Sequence, residues 1–410
     1  MKSTRPYPIL TITKKGRKAI EDGHPWVYAG EVLSCPSDAP NGSIVDVLDE
    51  KGAWMGAGLL SLSSLIRVRL LSRNPNDTFD EAFWLRRFRY AWEYRKTVLE
   101  PADLTACRVV FGESDGLPGL TVDRFNDILV VQTLSYGMEL RKTMLFPLLV
   151  RVLREDGQEI RGIYERNDEA LRDKEGLEQG KGFFPLPGEA VPTETVTKII
   201  ENDVKYAVDV ENGQKTGFFL DQKYNRKAVA RLAKGKRVLD CFTHTGSFAL
   251  NAAFGGALHV TAVDVSQAAV DMARENARLN GLEDRMDFLC ADVFDLLPRL
   301  VEEKRRDWDF IILDPPAFTK SRRTADQAAK GYKEINYRAM KLLPRGGYLA
   351  TCSCSHFMEA HRFEGVIQAA ARDAGVQLKQ IEARQQAPDH PILLGVPETD
   401  YLKFYLYQIV

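Results

Sequence analysis

Cysteine is scarce in this chain, and its six cysteines are scattered. They form no CxxC pair and no spacing typical of a zinc site, so the sequence predicts reduced thiols and no bound metal. Neither sign of charge dominates, because 56 Lys and Arg are balanced by 57 Asp and Glu to a formal net charge of -1. This balance excludes a protein coated in basic surface, although a local basic groove for nucleic acid remains open.

Long apolar runs are also missing. The first 23 residues are polar and basic and lack the continuous apolar segment of a secretion signal, and no later run approaches the length that crosses a bilayer. We therefore expect a cytoplasmic protein with no membrane partner. The mixture of 44% hydrophobic and 28% charged residues is typical of a globular protein, and 410 residues predict two or three domains.

Three stretches of the chain carry different patterns. Residues 1–75 contain short alternating runs between glycine-rich turns, which predict a small β barrel. Residues 76–192 begin with an amphipathic helix between Asp80 and Glu100 and continue as a small α+β domain. In residues 193–410, a hairpin expected to turn at Asn212-Gly213 precedes the regular alternation of strand and helix that predicts a doubly wound α/β domain.

Acidic residues mark the ends of four predicted strands in the C-terminal domain. Asp240 lies in the strand that runs into a tight turn, and Asp264 ends the next strand, where a carboxylate can accept hydrogen bonds from a ribose diol. Asp292 follows the third strand, where it can accept from the exocyclic amine of adenine, and Asp314 follows the fourth. Only one glycine occupies the first turn, so the GxGxxG fingerprint is absent and a nucleoside without a pyrophosphate is favoured.

A plainer interpretation of these carboxylates stays open. An Asp after a strand is most often a helix N-cap, and this alternative applies above all to Asp292. Asp240 can act through its backbone neighbours or by binding a methionine amine. No single one of these positions identifies a ligand, whereas the four in sequence form a specific pattern.

Asp314 and two cysteines occupy the ends of two predicted neighbouring strands. A thiolate can add to an electron-poor ring carbon while an aspartate manages the protons of the ring, which is covalent catalysis on a pyrimidine. Cys352 and Cys354 would point to the same side of an extended strand, so spacing alone does not choose between them.

The order of these motifs resembles the class I S-adenosylmethionine-dependent methyltransferases. Nearly the whole chain is similar to one family, the bacterial 23S ribosomal RNA large-subunit methyltransferase I type, which makes 5-methylcytosine. The segments that carry the resemblance are Gly23-His24-Pro25-Trp26-Val27-Tyr28, Lys215-Thr216-Gly217-Phe218-Phe219-Leu220-Asp221-Gln222, Leu313-Asp314-Pro315-Pro316-Ala317-Phe318, Thr351-Cys352-Ser353-Cys354-Ser355, Gln386-Ala387-Pro388-Asp389-His390-Pro391 and Tyr401-Leu402-Lys403. The resemblance implies an α/β protein with an N-terminal PUA-like RNA-binding β barrel, a small central α+β domain and a C-terminal Rossmann-like methyltransferase domain.

The resemblance also implies roles for individual residues. Cys354 would be the nucleophile, and Asp314 would hydrogen-bond or protonate ring nitrogen 3. S-adenosylmethionine would be the cofactor, S-adenosylhomocysteine the product, and 23S ribosomal RNA the partner. The expected cofactor contacts are Phe219, Asp221, Gln222, Asp240, Phe242, Thr245, Gly246, Asp264, Val265, Asp292, Val293 and Pro315, and the expected substrate contacts are Pro316, Phe318 and Lys320.

Several alternatives remain open at this level. Asp-Pro-Pro-aromatic motifs also hold amines for direct transfer, so an RNA guanine or adenine N-methyltransferase that needs no cysteine is one alternative. Another is a non-catalytic RNA-binding assembly factor, against which the intact Gly246 and Asp264 argue. The N-terminal barrel can equally be a structural cap, and Phe318 can be a core residue rather than a base-stacking one. Cys352 either assists product release or is buried and structural. A homodimer is compatible with the sequence, although no motif requires one.

Overall fold

The computed structural model describes residues 5–319 and 321–410, which fold as two compact units. The first unit comprises residues 5–199, 207–220 and 388–399, and the second comprises residues 200–206, 221–387 and 400–410. In those described ranges, no helix has both the length and the apolar character needed to cross a membrane. The domain borders at residues 75 and 192 stay predictions, because one compact unit can hold more than one domain.

The first unit opens with six short strands and one helix. These elements are β1 (Ile9–Ile12), α1 (Lys14–Glu21), β2 (Trp26–Tyr28), β3 (Val32–Ser34), β4 (Ile44–Asp49), β5 (Trp54–Leu60) and β6 (Ile66–Ser72). The strands form one sheet in the order β2-β6-β5-β4-β1-β3. Alternate side chains of these strands, such as Val45, Val47 and Val68, are fully buried in a common core, as the alternating sequence pattern predicts.

A long helix and a second sheet complete most of this unit. These elements are α2 (Glu81–Val98), β7 (Ala106–Phe111), β8 (Leu120–Phe125), β9 (Ile128–Thr133), α3 (Tyr136–Glu139), α4 (Lys142–Glu155), β10 (Gly162–Asn167) and β11 (Gly180–Phe184). Asp80 caps α2 by accepting a hydrogen bond from the Phe83 amide at 3.0 Å, and α2 ends ahead of Pro101 as predicted. The sheet order is β11-β10-β9-β8-β7, so the predicted α+β arrangement is present.

The expected hairpin forms, but it turns at a different place. Its strands are β12 (Val196–Glu201) and β13 (Val204–Asp209). Asn202 and Asp203 form the turn, both with positive φ (52° and 66°), which is the backbone of a type I′ hairpin. The prediction that the hairpin turns at Asn212-Gly213 was wrong. A separate turn forms there after β13 has ended, where the Asp209 carboxylate accepts hydrogen bonds from the Glu211 and Asn212 amides.

The second unit contains a seven-stranded sheet with helices between its strands. These elements are α5 (Lys223–Ala233), β14 (Arg237–Cys241), α6 (Ser247–Phe254), β15 (His259–Asp264), α7 (Gln267–Leu279), β16 (Met286–Cys290), α8 (Val293–Glu302), β17 (Phe310–Leu313), α9 (Ala325–Leu342), β18 (Tyr348–Ser353), α10 (Ala360–Ala374), β19 (Leu378–Arg384) and β20 (Lys403–Ile409). The order is β16-β15-β14-β17-β18-β20-β19, parallel from β16 to β18, with β20 antiparallel to both its neighbours. The predicted doubly wound α/β class is confirmed.

Candidate active site

The parallel strands bring most of the predicted site residues to one edge of the sheet. β14 pairs with β15 on one side and with β17 on the other, so the strand order reverses at β14, which is where open α/β sheets bind ligands. Asp264 ends β15, Asp314 follows β17 directly, and Cys354 follows β18, the next strand along. Asp314 and Cys354 therefore lie at adjacent strand ends.

The turn after β14 has an uncommon backbone. Phe242, His244 and Gly246 have φ values of 67°, 53° and 84°, all in the left-handed region. For a residue with a Cβ this conformation costs of order 1–3 kcal/mol, and such strain clusters at ligand sites. Gly246 also lies close to α7, since a Cβ added there would come within 3.0 Å of the Cβ of Ala273.

We expect Gly246→Ala to lower the free energy of unfolding of the second unit by about 1–3 kcal/mol, because alanine would be both strained and crowded at this position. Gly365→Ala is the matched control. Gly365 lies in α10 with nothing within 4 Å of an added Cβ. Alanine at this position should therefore raise the free energy of unfolding by about 0.5–1 kcal/mol. Urea unfolding of both variants measures the difference, and equal stability of Gly246→Ala and the unsubstituted protein would contradict this description of the turn.

Two backbone amides hold Asp264 in place. The His244 amide donates to Oδ2 at 2.8 Å, and the Ser266 amide donates to Oδ1 at 2.9 Å. Each carboxylate oxygen can accept more than one hydrogen bond, so Asp264 retains capacity for a ribose diol. Val265 follows it directly and is 69% exposed, which leaves an apolar side chain beside that carboxylate.

Asp240 is fully buried, and it accepts hydrogen bonds from the turn and from α6. Its Oδ2 accepts from the Thr243 hydroxyl at 2.6 Å and from the Ala249 amide at 2.9 Å. Burial, reinforced by the charge of nearby Asp314, raises the pKa of Asp240 to about 8. These contacts tie the turn to α6 through Oδ2, while the buried Oδ1 has no hydrogen-bond partner among the described residues. Both interpretations of Asp240, through its backbone neighbours and by binding a methionine amine, stay predictions.

Thr245 and Asp292 bear on whether a polar cofactor fits here. The Thr245 hydroxyl is buried and finds no hydrogen-bond partner among the described residues. A buried polar group left unpaired costs about 1–3 kcal/mol, so this hydroxyl suits a polar ligand group.

Asp292 is exposed and caps α8, with the Phe294 amide donating to it at 2.8 Å, while Val293 is buried in that helix. The helix N-cap role thus accounts for one of the two carboxylate oxygens of Asp292.

The segment before β14 contributes buried polar side chains. Gln222 Nε2 donates to Asp314 Oδ1 at 3.0 Å, which orients the Asp314 carboxylate. Asp221 accepts a hydrogen bond from the Tyr401 hydroxyl at 2.7 Å. Phe219 belongs to the first unit, where Lys215 Nζ lies 4.5 Å from the centre of its ring.

The two cysteines occupy different environments. β18 ends at Ser353, so Cys354 has left the strand and is half-buried, with its Sγ 4.0 Å from the carbonyl oxygen of Pro315. Cys352 is fully buried, and burial together with the charge of Asp314 raises the pKa of its thiol well above the ordinary value. Of the two, only Cys354 is accessible to a ligand.

The loop after β17 contains the remaining predicted contacts, and they differ in how exposed they are. Pro315 is buried and Pro316 is exposed. The Phe318 ring packs on Tyr332 at 4.6 Å between ring centres and on Phe294 at 5.6 Å, so neighbouring aromatic residues hold it while part of it stays exposed. The predicted RNA contact Lys320 lies outside the described residues.

Sequence reasoning assigned no role to Lys403. It is buried and lies directly opposite Ser353 in the β18–β20 pairing. Its Nζ donates to the carbonyl oxygens of Ser355 at 2.8 Å and Tyr401 at 2.7 Å. A lysine directly before the apolar and aromatic run from Phe404 to Tyr407 is the signal that could have found it, since lysine is almost never fully buried unless it is paired.

Family models match two regions of the chain. Residues 185–405 match the model described as S-adenosylmethionine-dependent methyltransferase, and residues 10–73 match the model described as PUA-like domain. The predicted Rossmann-like methyltransferase domain, the PUA-like domain and the S-adenosylmethionine cofactor are thereby confirmed.

Similarity to known proteins extends over nearly the full length of the chain. The chain is 40% identical to a Ribosomal RNA large subunit methyltransferase I from Klebsiella pneumoniae, over 98% of this chain and 99% of that protein. Two solved structures, a SAM-dependent methyltransferase from Streptococcus mutans and a methyltransferase complexed with S-adenosylhomocysteine, superpose with TM-scores of 0.80 at 20% and 21% identity, each covering 98% of this chain and 100% of the other. The chain therefore belongs to the ribosomal RNA large subunit methyltransferase I family of S-adenosylmethionine-dependent methyltransferases.

Proposed function

We propose that this chain methylates carbon 5 of cytosine in 23S ribosomal RNA, with Cys354 as the nucleophile and Asp314 acting at ring nitrogen 3. The observation that carries the proposal is the placement of the accessible Cys354 thiol at the strand end next to Asp314. The name of the Klebsiella pneumoniae relative and the PUA-like domain support ribosomal RNA as the substrate.

Carbon 5 of cytosine needs activation before it can accept a methyl group. The Cys354 thiolate adds to carbon 6, forming a carbon–sulfur bond and moving electron density to carbon 5. Asp314 hydrogen-bonds or protonates nitrogen 3, which draws electrons through the ring as sulfur adds. After methyl transfer a base removes the carbon 5 proton, and the electrons of that bond expel the Cys354 thiolate and restore the ring.

Several residues of this chain would hold the methyl donor. When bound, S-adenosylmethionine supplies an electrophilic methyl group and becomes S-adenosylhomocysteine. The fit rests on the unpaired Thr245 hydroxyl, the left-handed turn at Gly246 and the remaining hydrogen-bonding capacity of Asp264. Asp264 would bind the ribose diol, and Val265 would offer apolar contact to the base.

Gln222 and Cys352 would keep Asp314 in position for nitrogen 3. Gln222 bonds one oxygen of the Asp314 carboxylate, and the Cys352 thiol is in hydrogen-bond contact with both Gln222 and Asp314. Since burial keeps the Cys352 thiol protonated, Cys352 is a poor nucleophile. We therefore assign it a structural role rather than assistance in product release.

We expect Cys352→Ala to lower kcat by less than about tenfold, because a neutral hydrogen bond of about 0.5–1.5 kcal/mol is lost while the nucleophile remains. Denaturing electrophoresis of enzyme with RNA should show no accumulation of a covalent complex. Accumulation of that complex in Cys352→Ala would contradict this assignment and restore a role in product release.

Nucleoside mass spectrometry of ribosomal RNA tests the proposed function. A strain that lacks this chain should lose one 5-methylcytosine from 23S ribosomal RNA, and a plasmid copy should restore it. Loss of an N-methylated guanine or adenine instead would support direct transfer at an amine. An unchanged set of modified nucleosides would support a non-catalytic role.

A further inference from the structure

A thiol that acts as a nucleophile near neutral pH needs a group that favours its ionisation, because an ordinary cysteine has a pKa of about 8.5. Lys403 is placed to do so. It lies opposite Ser353, the residue before Cys354, and its Nζ donates at 2.8 Å to the carbonyl oxygen of Ser355, the residue after Cys354. The backbone of Lys403 therefore pairs with the residue before the thiol, and its ammonium group is held at the residue after it.

Among the residues that the structure describes, no carboxylate forms an ion pair with the ammonium group of Lys403. Its two hydrogen bonds go to the neutral carbonyl oxygens of Ser355 and Tyr401. A buried charge without a partner is costly, and a protein retains one chiefly where another charge forms beside it. An ammonium has three N–H donors, so one remains for such a partner.

We propose that Lys403 is a positioning residue whose ammonium group stabilises the Cys354 thiolate. The proposal rests on the proposed role of Cys354 as the nucleophile. On ionisation the thiol proton leaves to solvent and Lys403 keeps its own proton, so a buried ion pair replaces a lone buried cation. The remaining N–H of the ammonium group would donate a hydrogen bond to the thiolate.

The negatively charged groups around Lys403 favour a charged ammonium group beside the Cys354 thiolate. Burial lowers the pKa of Lys403 to about 8. A negative charge on Cys354 opposes that shift most strongly, and the charges of Asp400 and Glu359 oppose it more weakly. Asp400 precedes β20 and Glu359 precedes α10, and both side chains are exposed. The thiol of Cys354 is thus the foremost of the groups that favour a charged Lys403. Above about pH 8 the lysine loses its proton, and its support for the thiolate disappears.

Alkylation of the full-length protein by iodoacetamide from pH 5.5 to 10, followed by peptide mass spectrometry, tests the proposal. We expect Lys403→Gln to move the alkylation midpoint of Cys354 upward by about one pH unit or more, with a slowing of about tenfold at pH 7. Lys403→Arg should restore most of the rate, because arginine keeps the positive charge. Exposed Cys290 is an internal reference, and Lys379→Gln, an exposed lysine of β19, is the matched control.

The same Cys354 midpoint in Lys403→Gln and in the unsubstituted protein would overturn the proposal, as would equal midpoints in the Gln and Arg variants. If Lys403→Gln does not fold, the reciprocal measurement replaces it. In ¹³C NMR titration of the lysine side chains, Cys354→Ser should lower the midpoint of Lys403, and an unchanged midpoint would overturn the proposal. Neither measurement uses RNA or cofactor, so either result is independent of whether the product is 5-methylcytosine.

Discussion

Cys354→Ala is expected to reduce 5-methylcytosine formation by at least about a thousandfold, because no other accessible thiol among the described residues lies at a strand end next to Asp314. The exposed Cys290 ends β16, which β15, β14 and β17 separate from β18. The half-buried position of Cys354 makes alanine there a mild change for folding, so the fold and cofactor binding should survive. Single-turnover methylation of a 23S ribosomal RNA fragment with radiolabelled methyl donor measures the loss, and calorimetry with S-adenosylhomocysteine verifies that the cofactor site is intact.

Two further variants separate chemistry from packing. Cys354→Ser keeps the size of the side chain but replaces the thiolate with a hydroxyl that barely ionises, so it should be nearly as inactive as Cys354→Ala. Cys35→Ala changes a half-buried cysteine of the first unit and should keep full activity. Methylation by Cys354→Ala at more than about a tenth of the unsubstituted rate would exclude covalent catalysis by this residue.

Asp314→Asn is expected to lower kcat by about a hundredfold to ten-thousandfold, the range for loss of a general acid. Asparagine can still accept the hydrogen bond from Gln222, so the loop geometry should be retained while the proton for nitrogen 3 is lost. Single-turnover rates measured over a pH series separate this effect from weaker RNA binding.

Asp309→Asn is the control for Asp314→Asn. Asp309 lies just before β17, at the opposite end of the same strand, and accepts a hydrogen bond from the Arg237 amide. Its substitution should leave the methylation rate within about twofold, as expected away from the site. Equal losses in both variants would indicate a general effect on the sheet rather than chemistry at nitrogen 3.

The sheet and its acidic strand ends could be predicted from sequence because each buried strand is a short apolar run followed by a carboxylate. Asp264 and Asp314 lie at the strand ends where that pattern puts them. The hairpin turn could not be chosen in the same way, because both Asn202-Asp203 and Asn212-Gly213 favour turns. In the structure Asn202-Asp203 joins β12 to β13, and the hydrogen bonds that Asp209 accepts form a separate turn after β13.

The difference between the two cysteines depended on where β18 ends. A strand that continued through Cys354 would place both thiols on one side, whereas the observed end at Ser353 leaves Cys352 buried and Cys354 accessible. Lys403 reaches this strand end from 48 residues beyond Ser355, through the antiparallel pairing of β18 with β20. Local periodicity carries no information about a contact at that separation.

The proposed catalysis requires a covalent bond between Cys354 and cytosine carbon 6. Incubation of the protein with S-adenosylmethionine and a 23S ribosomal RNA fragment that contains 5-fluorocytidine tests it, because fluorine at carbon 5 cannot leave as a proton and so traps the adduct. We predict a complex stable to denaturation whose nuclease and protease digest carries the modified nucleotide on the peptide that contains Cys354. Methylation of ordinary RNA with no such complex, or an adduct mapped to Cys352, would exclude Cys354 as the nucleophile.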